Sequence, residues 1–320
     1  MSGWAARSLP VMSRRALTLL VAGIAVVIAA VVAAVLPVPY VVLSPGPTLN
    51  TLGTTSGGQP LINIKGHRVN RTAGNLNMVT VDFQGGPGDE INIFTALRAW
   101  LNPHDAVVPQ AEVFGSSTSS QQVLKQDVEE MASSQQIATA AALTQLGIAY
   151  KTEIQVLSTE QGMPAASVLR NGDIIAAVDG VAIGSMTGLS DQVRAHPVGS
   201  KLKLTVIRNG KTVPVSLTTV SGRGHAEIGV VVQQQYKFPF FINISVGNIG
   251  GPSAGLMFAL GIIDKLGPVN LTGGRFIAGT GEIEATGAVD PIGGIQQKMV
   301  GARSKGADRK STRLNSSHRR

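Results

Sequence analysis

"GGPSAGLMFALGIIDKLG", residues 250–267, is the stretch on which both the fold and the chemistry of this chain depend. Ser253 lies among small residues and one proline, and an apolar run follows directly. Pro252 suits the first position of a helix, and the apolar run is typical of a buried helix. The pattern predicts Ser253 at a helix N-terminus, where free backbone N–H groups and the positive end of the helix dipole suit an oxyanion.

A serine in this position has two interpretations. It can be a nucleophile, or it can be an ordinary residue of a helix cap, where serine is common. A nucleophilic serine needs a base. Gly251–Gly255 also matches G-x-S-x-G, but an α/β-hydrolase needs a histidine after its serine. The only histidine after Ser253 is His318, close to the end of the chain, so the chain order argues against that class of hydrolase.

Lys298 is the candidate base. A helix is predicted to begin near Ile295, after the turn residues Gly293-Gly294, which puts Lys298 in its first turn. The helix dipole there disfavours a positive charge, and apolar neighbours in the sequence favour partial burial. Both effects would lower the pKa of the lysine and favour the neutral amine. The alternative is an ordinary solvated surface lysine.

Two strings in this order and separation resemble the proteolytic domain of Lon-type serine proteases: "GGPSAG", residues 250–255, and "GTGEIEATGAVDPIGGIQQK", residues 279–298. The resemblance covers about residues 225–304. It implies that Ser253 is the nucleophile and that Lys298 is the base of a Ser–Lys dyad.

The same resemblance implies the supporting residues of the site. The hydroxyl of Thr280, in "GTGEI", would support the lysine, and backbone amides of Gly250, Gly251 and Ser253 would form the oxyanion hole. Many Lon proteases carry an acid three residues before the serine, where this chain has Gly250. Backbone amides can form an oxyanion hole without that acid, so the departure is a minor one.

A second module resembles a PDZ domain of the bacterial, protease-associated type, on the string "GMPAASVLRNGDIIAAVDGVAI" (162–183). The predicted elements are a short helix at 164–168, a strand at 174–178, a helix near 186–195 and a hairpin turning at Asn209-Gly210. The resemblance implies binding of an extended peptide or chain terminus by strand addition. Residues 156–158 are a candidate for its carboxylate-binding loop. The alternative is a purely structural β-unit.

The N-terminal part of the chain predicts a membrane anchor. Residues 16–36 are 21 residues without a charge, long enough to cross the hydrocarbon layer, which is about 30 Å thick. Arginines flank only the N-terminal side, so residues 1–15 are expected in the cytoplasm and the bulk of the chain outside it. The alternative is a cleaved signal peptide, whose apolar region is usually shorter.

Composition excludes several classes of function. The net charge is +8, but the first 15 residues carry three arginines and no acid, and residues 302–320 carry seven basic residues and one acid. The body of the chain is therefore almost neutral, which argues against nucleic-acid binding. The chain has no cysteine. It contains no P-loop string and no histidine–carboxylate cluster, so we expect no ATPase, no cofactor and no metal.

The fold class expected is α+β: a transmembrane helix, then a PDZ domain inserted in, or preceding, a Lon-type proteolytic domain. The predicted divisions are a linker (37–59), an N-terminal part of the protease domain (60–147), the PDZ domain (148–221), the catalytic part (222–304) and a tail (305–320). An inserted PDZ domain requires residues 75–83 to share a sheet with 226–232 or 240–246, and the helix of 128–146 to pack on the Ser253 helix or its sheet. The alternative is three domains in a row.

The tail, which contains "DRKSTRLNSSHRR", is polar, basic and aperiodic, and we expect it to be non-native sequence. A Lon-type domain should continue beyond its lysine helix, so a chain cut at this point would be expected to lack the end of its catalytic part and to lose activity.

Together with the anchor and the PDZ module, the chain resembles the membrane-anchored PDZ–Lon proteins of Gram-positive bacteria, the YlbL-like family. The resemblance implies an ATP-independent serine endopeptidase at the cell membrane, single-pass, whose PDZ domain selects unfolded or tagged proteins. The alternative is a non-catalytic, membrane-anchored PDZ scaffold or peptide-binding protein.

Overall fold

A computed structural model of the chain describes residues 13–115, 118–222, 224–247 and 249–307. Most of the predicted cytoplasmic N-terminus and residues 308–320 of the predicted non-native tail lie outside the described residues.

The described residues form seven α-helices and eighteen strands. The helices are α1 Arg14–Val35, α2 Ile93–Trp100, α3 Gln110–Phe114, α4 Ser120–Gln145, α5 Met186–Arg194, α6 Gly255–Leu266 and α7 Ile295–Ser304. The strands before α5 are β1 Pro37–Val38, β2 Tyr40–Asn50, β3 Ile62–Lys65, β4 Asn75–Gln84, β5 Ile91–Asn92, β6 Ala106–Pro109, β7 Lys151–Thr159, β8 Ile174–Val178 and β9 Val181–Ala182. The later strands are β10 Lys201–Arg208, β11 Lys211–Thr218, β12 Val220–Gly222, β13 His225–Glu227, β14 Val230–Lys237, β15 Phe241–Ile244, β16 Phe276–Gly279, β17 Glu282–Ile283 and β18 Val289–Asp290.

Helix α1 is long and apolar enough to span a membrane. Its 22 residues include none that is buried against the rest of the chain. Ser13 caps its N-terminus by accepting a hydrogen bond from the amide of Ala16. The predicted apolar segment therefore forms one unbroken helix, and its contacts with β5 and α2 bury none of its residues.

The predicted linker of residues 37–59 is wrong, because β2 lies inside a four-stranded sheet of order β16-β4-β2-β6. Val41 and Val42 are 0% and 2% exposed. The prolines and glycine of "SPGPT" suggested a turn, but the register between β2 and β4 skips from Pro45 to Thr48. An irregularity of this kind accommodates proline within a strand.

A separate two-stranded sheet joins distant parts of the chain. Strand β15 pairs antiparallel with β3, so that Ile244 lies opposite Ile62. Strand β4 pairs with β2 and, in parallel, with β16. The expected pairing of residues 75–83 with 226–232 or 240–246 is therefore not found, since β3 rather than β4 receives the strand that precedes Ser253.

Helix α4 packs along α6. Small residues of α4, including Ala138 and Ala142, are fully buried at this contact, and Phe258 of α6 is fully buried beside them. Small side chains allow the two helices to approach closely. Residues from positions 61–142 and from 244–283 thus share one hydrophobic core, which we call the α4–α6 core.

Strands β7, β8, β9, β10, β11 and β14 form a six-stranded sheet with its own core, which includes Ile154, Ile175, Leu189 and Leu204. The predicted strand at 174–178 and the predicted turn are confirmed: Asn209 and Gly210 both have positive φ between β10 and β11. Strand β14, from the segment that we assigned to the catalytic part, pairs along β7 and belongs to this sheet. The boundary at 221 and 222 therefore does not match the sheet.

Candidate active site

Ser253 lies in a short 3₁₀ helix, Pro252–Ala254, that continues directly into α6. The chain enters it through Gly251, which has φ 83° and ψ 161°. Only glycine adopts this backbone region readily, because any Cβ would be strained there. The positive φ of Gly251 thus lets the chain turn into the short helix that carries Ser253.

Lys298 reaches this serine from the first turn of α7. Its Nζ donates a hydrogen bond to Ser253 Oγ at 2.9 Å. The lysine is 5% exposed, and burial lowers the pKa of its amine from 10.5 to about 8. A lysine with this pKa is neutral in a substantial fraction of molecules near neutral pH, and a neutral amine can accept the proton of a serine hydroxyl.

Thr280 supports the serine rather than the lysine. The sequence hypothesis placed its hydroxyl beside Lys298, but the hydroxyl donates to the backbone carbonyl of Ser253 at 2.9 Å. The amide of Gly281 donates to the same carbonyl at 2.8 Å. A carbonyl oxygen can accept two hydrogen bonds, and these two hold the backbone of Ser253 in place.

Helix α4 contacts the other side of the Gly250–Ser253 loop. Ser134 is 5% exposed and donates through its Oγ to the carbonyl of Pro252 at 2.9 Å. The Asp127 side chain lies against Gly250. A Cβ built on this glycine would lie 2.6 Å from the Asp127 Cβ. A side chain at position 250 therefore has no room while α4 keeps this position.

The predicted oxyanion donors differ in their present partners. The amide of Gly251 donates to the carbonyl of Asp127 across 3.5 Å, a long contact. Gly251 is thus partly engaged by α4 and is not a free donor in this conformation. The other two predicted donors, the backbone amides of Gly250 and Ser253, belong to the same loop as the Ser253 hydroxyl.

Carboxylates line the clefts beside this loop. A cleft of about 350 Å³ is lined by Glu130, Ser134, Pro252 and Glu282, among others. Burial, together with the charges of Asp290 and Glu130, raises the pKa of Glu282. Burial and the nearby Glu130 likewise raise the pKa of Asp127. A cleft beside Pro252, which precedes Ser253 in the chain, is therefore lined by acidic residues.

Sequence reasoning missed Asp127 and Ser134. They are seven residues apart, which puts them two turns apart on one face of α4. That spacing was visible, but the spacing alone does not show which part of the chain the face contacts. The contact depends on the packing of α4 on α6.

The six-stranded sheet carries a separate cleft. It has a volume of about 570 Å³ and lies between α5 and the segment that runs from His225 through Gly229 into β14. Strand β14 is at the edge of the sheet. Residues 156–158, the candidate for a carboxylate-binding loop, do not form a loop, because they lie within β7, where Val156 and Ser158 pair with β14, and Val156 is fully buried.

Comparison with known protein families gives one domain assignment. A PDZ domain family matches residues 118–219. The chain contains a PDZ domain. The match includes α4, which packs on α6 in the structure, whereas the PDZ sheet itself begins with β7 and also takes in β14 beyond the matched residues. The PDZ domain of an SdrC-like protein from Listeria innocua is 27% identical, covering 25% of this chain and 92% of that one, with a TM-score of 0.24.

The chain also has stretches that are similar to Lon proteases. Lon protease 2 of Thermus thermophilus is 38% identical over 80 residues, which are 24% of this chain and 10% of that protein. Lon protease 1 of Bacillus subtilis is 30% identical over 143 residues, which are 42% of this chain and 18% of that protein. The chain thus spans only 10% to 18% of the length of these relatives.

Proposed function

We propose that the chain is a membrane-anchored, ATP-independent serine endopeptidase of the Lon type, with Ser253 as nucleophile and Lys298 as general base. The observation that carries the proposal is the 2.9 Å hydrogen bond from Lys298 Nζ to Ser253 Oγ. A buried lysine whose pKa lies near 8 and whose sole side-chain partner among the described residues is a serine hydroxyl suits proton transfer.

The chemistry follows from that pair. As Ser253 Oγ attacks the carbonyl carbon of a peptide bond, its proton passes to the neutral Lys298 amine. Backbone amides of the Gly250–Ser253 loop stabilise the oxyanion of the tetrahedral intermediate. The lysine then gives its proton to the leaving amine, and the peptide C–N bond breaks. Water attacks the acyl-enzyme with Lys298 again as base, which releases the new carboxyl terminus and restores Ser253.

Formation of the oxyanion hole requires one adjustment of the loop. Gly251 donates to the Asp127 carbonyl through a contact of 3.5 Å, which is weak and easily exchanged for a stronger acceptor. A developing oxyanion is such an acceptor, because hydrogen bonds to charged oxygen are about twice as strong as neutral ones. Substrate binding would therefore draw this amide from α4 toward the reacting carbonyl.

The PDZ domain would deliver the substrate. We propose that an extended segment or chain end of an unfolded or tagged protein adds to the free edge of β14 and packs against α5. With α1 across the membrane and the arginines on its N-terminal side, the PDZ domain and the Ser253 site would face away from the cytoplasm.

The test is cleavage of an unfolded protein by the purified chain. We expect Ser253→Ala and Lys298→Ala each to abolish cleavage and leave the melting temperature close to that of the parent. The double variant should be no worse than either single one, because the two residues act as a unit. Ser304→Ala with Lys305→Ala, two exposed positions at the end of α7, is the matched control and should keep full activity.

Substantial cleavage by Lys298→Ala would contradict the dyad. A parent chain that binds peptides through the PDZ domain and cleaves none would instead favour the alternative function, a membrane-anchored PDZ scaffold. Thr280→Val should be milder than either dyad variant, because it removes a hydrogen bond to the Ser253 carbonyl and no reacting group.

A further inference from the structure

Helix α2 turns its smallest residues inward and its largest outward. Ala96 and Ala99 are buried against Val42 and Ile91. Five large apolar residues are instead between 48% and 73% exposed: Ile93, Phe94, Leu97, Trp100 and Leu101. An amphipathic helix on a protein normally buries its large apolar side chains. The opposite arrangement indicates that the outer face of α2 has a partner that is not part of this fold.

The exposed residues form a single stripe. At 100° per residue, the five positions fall within an arc of about 120°. Thr95 lies on the opposite side of the helix, and Arg98 lies at the border of the stripe. A continuous apolar stripe of this kind marks an interaction surface, whereas single exposed apolar residues do not.

The position of α2 in the chain points to the partner. Helix α1 ends at Val35, and the next residues form β1, which pairs with β5 so that Val38 lies opposite Ile91. Strand β5 leads directly into α2, and α1 contacts both β5 and α2. Paired strands lie about 5 Å apart. The first residue of α2 is thus fixed beside the point at which the chain leaves α1.

We propose that α2 is an interfacial membrane helix, whose stripe of Ile93, Phe94, Leu97, Trp100 and Leu101 lies in the headgroup layer of the same bilayer that α1 spans. The proposal rests on the proposed role of α1 as a membrane anchor. A lipid surface is the occupant because the stripe continues the apolar surface of α1, whose end residues Val35 and Leu36 are themselves exposed. Amphipathic helices of this kind lie about 5–10 Å deep at the boundary of headgroups and acyl chains.

Aromatic residues fit the same boundary. Trp100 is 73% exposed at the end of α2, and Tyr40 is 42% exposed four residues after α1 and its cap. Tryptophan and tyrosine are enriched at membrane–water interfaces, because each combines an apolar ring with a polar group. With two attachment points, α1 and α2, the sheet that contains β2 is held at a fixed distance from the bilayer, and so is α7, which packs on β2.

The test uses Trp100 as its own probe. The chain has two tryptophans, so Trp4→Phe leaves Trp100 alone. The full chain is placed one copy per nanodisc, with phosphatidylcholine brominated on the upper carbons of its acyl chains as quencher. The control carries Trp4→Phe, Trp100→Phe and Val181→Trp, because Val181 is 49% exposed in the PDZ domain, away from α1. We expect Trp100 emission to be blue-shifted and quenched several-fold more strongly than that of the control.

The possible outcomes separate the proposals. Quenching of Trp100 that does not exceed that of the control, in a chain that enters nanodiscs, overturns the interfacial helix and leaves the anchor in place. A blue shift without bromine quenching also overturns it, since it indicates a protein partner for the stripe. A folded chain that does not enter nanodiscs at all overturns the anchor and this inference together. The variant Leu97→Asp should weaken the quenching of Trp100 while the chain still enters nanodiscs through α1.

Discussion

At the scale of single residues, Lys298 is the position at which stability and chemistry conflict. Burial lowers the pKa of its amine to about 8, because the charged form loses its hydration. In the unfolded chain the amine has its ordinary pKa near 10.5, so at neutral pH folding must bury a charge or release a proton. Between pH 8 and pH 10.5 the unfolded chain binds more protons at this amine than the folded chain does. The free energy of unfolding therefore increases as pH rises from about 8 toward 10.5.

The rate of cleavage should follow the neutral form of that lysine. We expect kcat/KM of the parent chain to rise tenfold per pH unit below about 8 and to level off above that pH, as the amine becomes deprotonated. The measurement is a pH profile with a peptide substrate that has no group titrating between pH 6 and 10. A profile that keeps rising to pH 10 would show a lysine with an ordinary pKa, and a profile flat from pH 6 would exclude the lysine as base.

At the scale of elements, α4 and the nucleophile loop hold each other in position. Ser134 fixes the Pro252 carbonyl, and Asp127 fills the space beside Gly250. Two contacts on one helix face constrain the loop at Gly250 and at Pro252. The position of the serine therefore depends on the packing of α4 against α6 as much as on the local glycine turn.

Substitution of Gly250 tests this contact. In Gly250→Ala the new Cβ would lie 2.6 Å from the Asp127 Cβ, so the loop or α4 must move. A shift of about 1 Å at a reacting group can cost about 100-fold in rate, and we expect a loss of that order in kcat with little change in KM. Gly57→Ala, at a glycine with negative φ and no close neighbour, is the control and should keep the parent rate.

A second substitution shows whether the clash is the cause. Asp127→Gly removes the Cβ that the alanine meets, so Gly250→Ala with Asp127→Gly should recover most of the lost rate. The glycine itself costs about 1 kcal/mol of helix stability. If the double variant remains as slow as Gly250→Ala alone, the loss has another origin than the contact with α4.

At the scale of the whole molecule, the two largest hydrophobic cores of the described residues are separate. The α4–α6 core holds α4 and α6, and the PDZ core is built around β7, β8 and β10 with α5. Asp173 of the PDZ core is 1% exposed and accepts two hydrogen bonds from Arg208, at 2.8 and 2.7 Å. That arginine lowers the pKa of Asp173, so the pair stabilises the domain at neutral pH and loses this contribution as pH falls below the ordinary carboxyl range.

Removal of one member of this pair should destabilise one core selectively. Arg208→Met leaves a buried carboxylate without its partner, at a cost of about 3 kcal/mol. We expect amide hydrogen exchange to accelerate in β8 and β10 but not in α4 or α6. Lys211→Met, at an exposed position opposite Arg208 in the hairpin, is the control and should leave exchange unchanged. Equal acceleration in α6 would show that the two cores unfold as one unit.

Local sequence was sufficient to predict the structure wherever a short pattern of residues determines the backbone conformation. The strand at 174–178, the turn at Asn209-Gly210 and the helices around α4, α5 and α7 follow from periodicity and turn residues that act within a few positions. The same holds for the backbone that carries Ser253, because the glycine turn and the proline act locally. Strand β2 was missed for the opposite reason: prolines that normally end a strand are accommodated by an irregular pairing with β4 that only the partner strand provides.

The sequence by itself determined which residues could carry the chemistry, because residue type and spacing are properties of the chain. Only the tertiary structure decided which groups meet. It brings Lys298 to within 2.9 Å of a serine 45 residues away, directs the Thr280 hydroxyl to the Ser253 carbonyl, and turns Trp100 outward. Periodicity shows that a helix has an apolar face, but what that face meets depends on elements far away in the sequence, and their packing competes for the same surface.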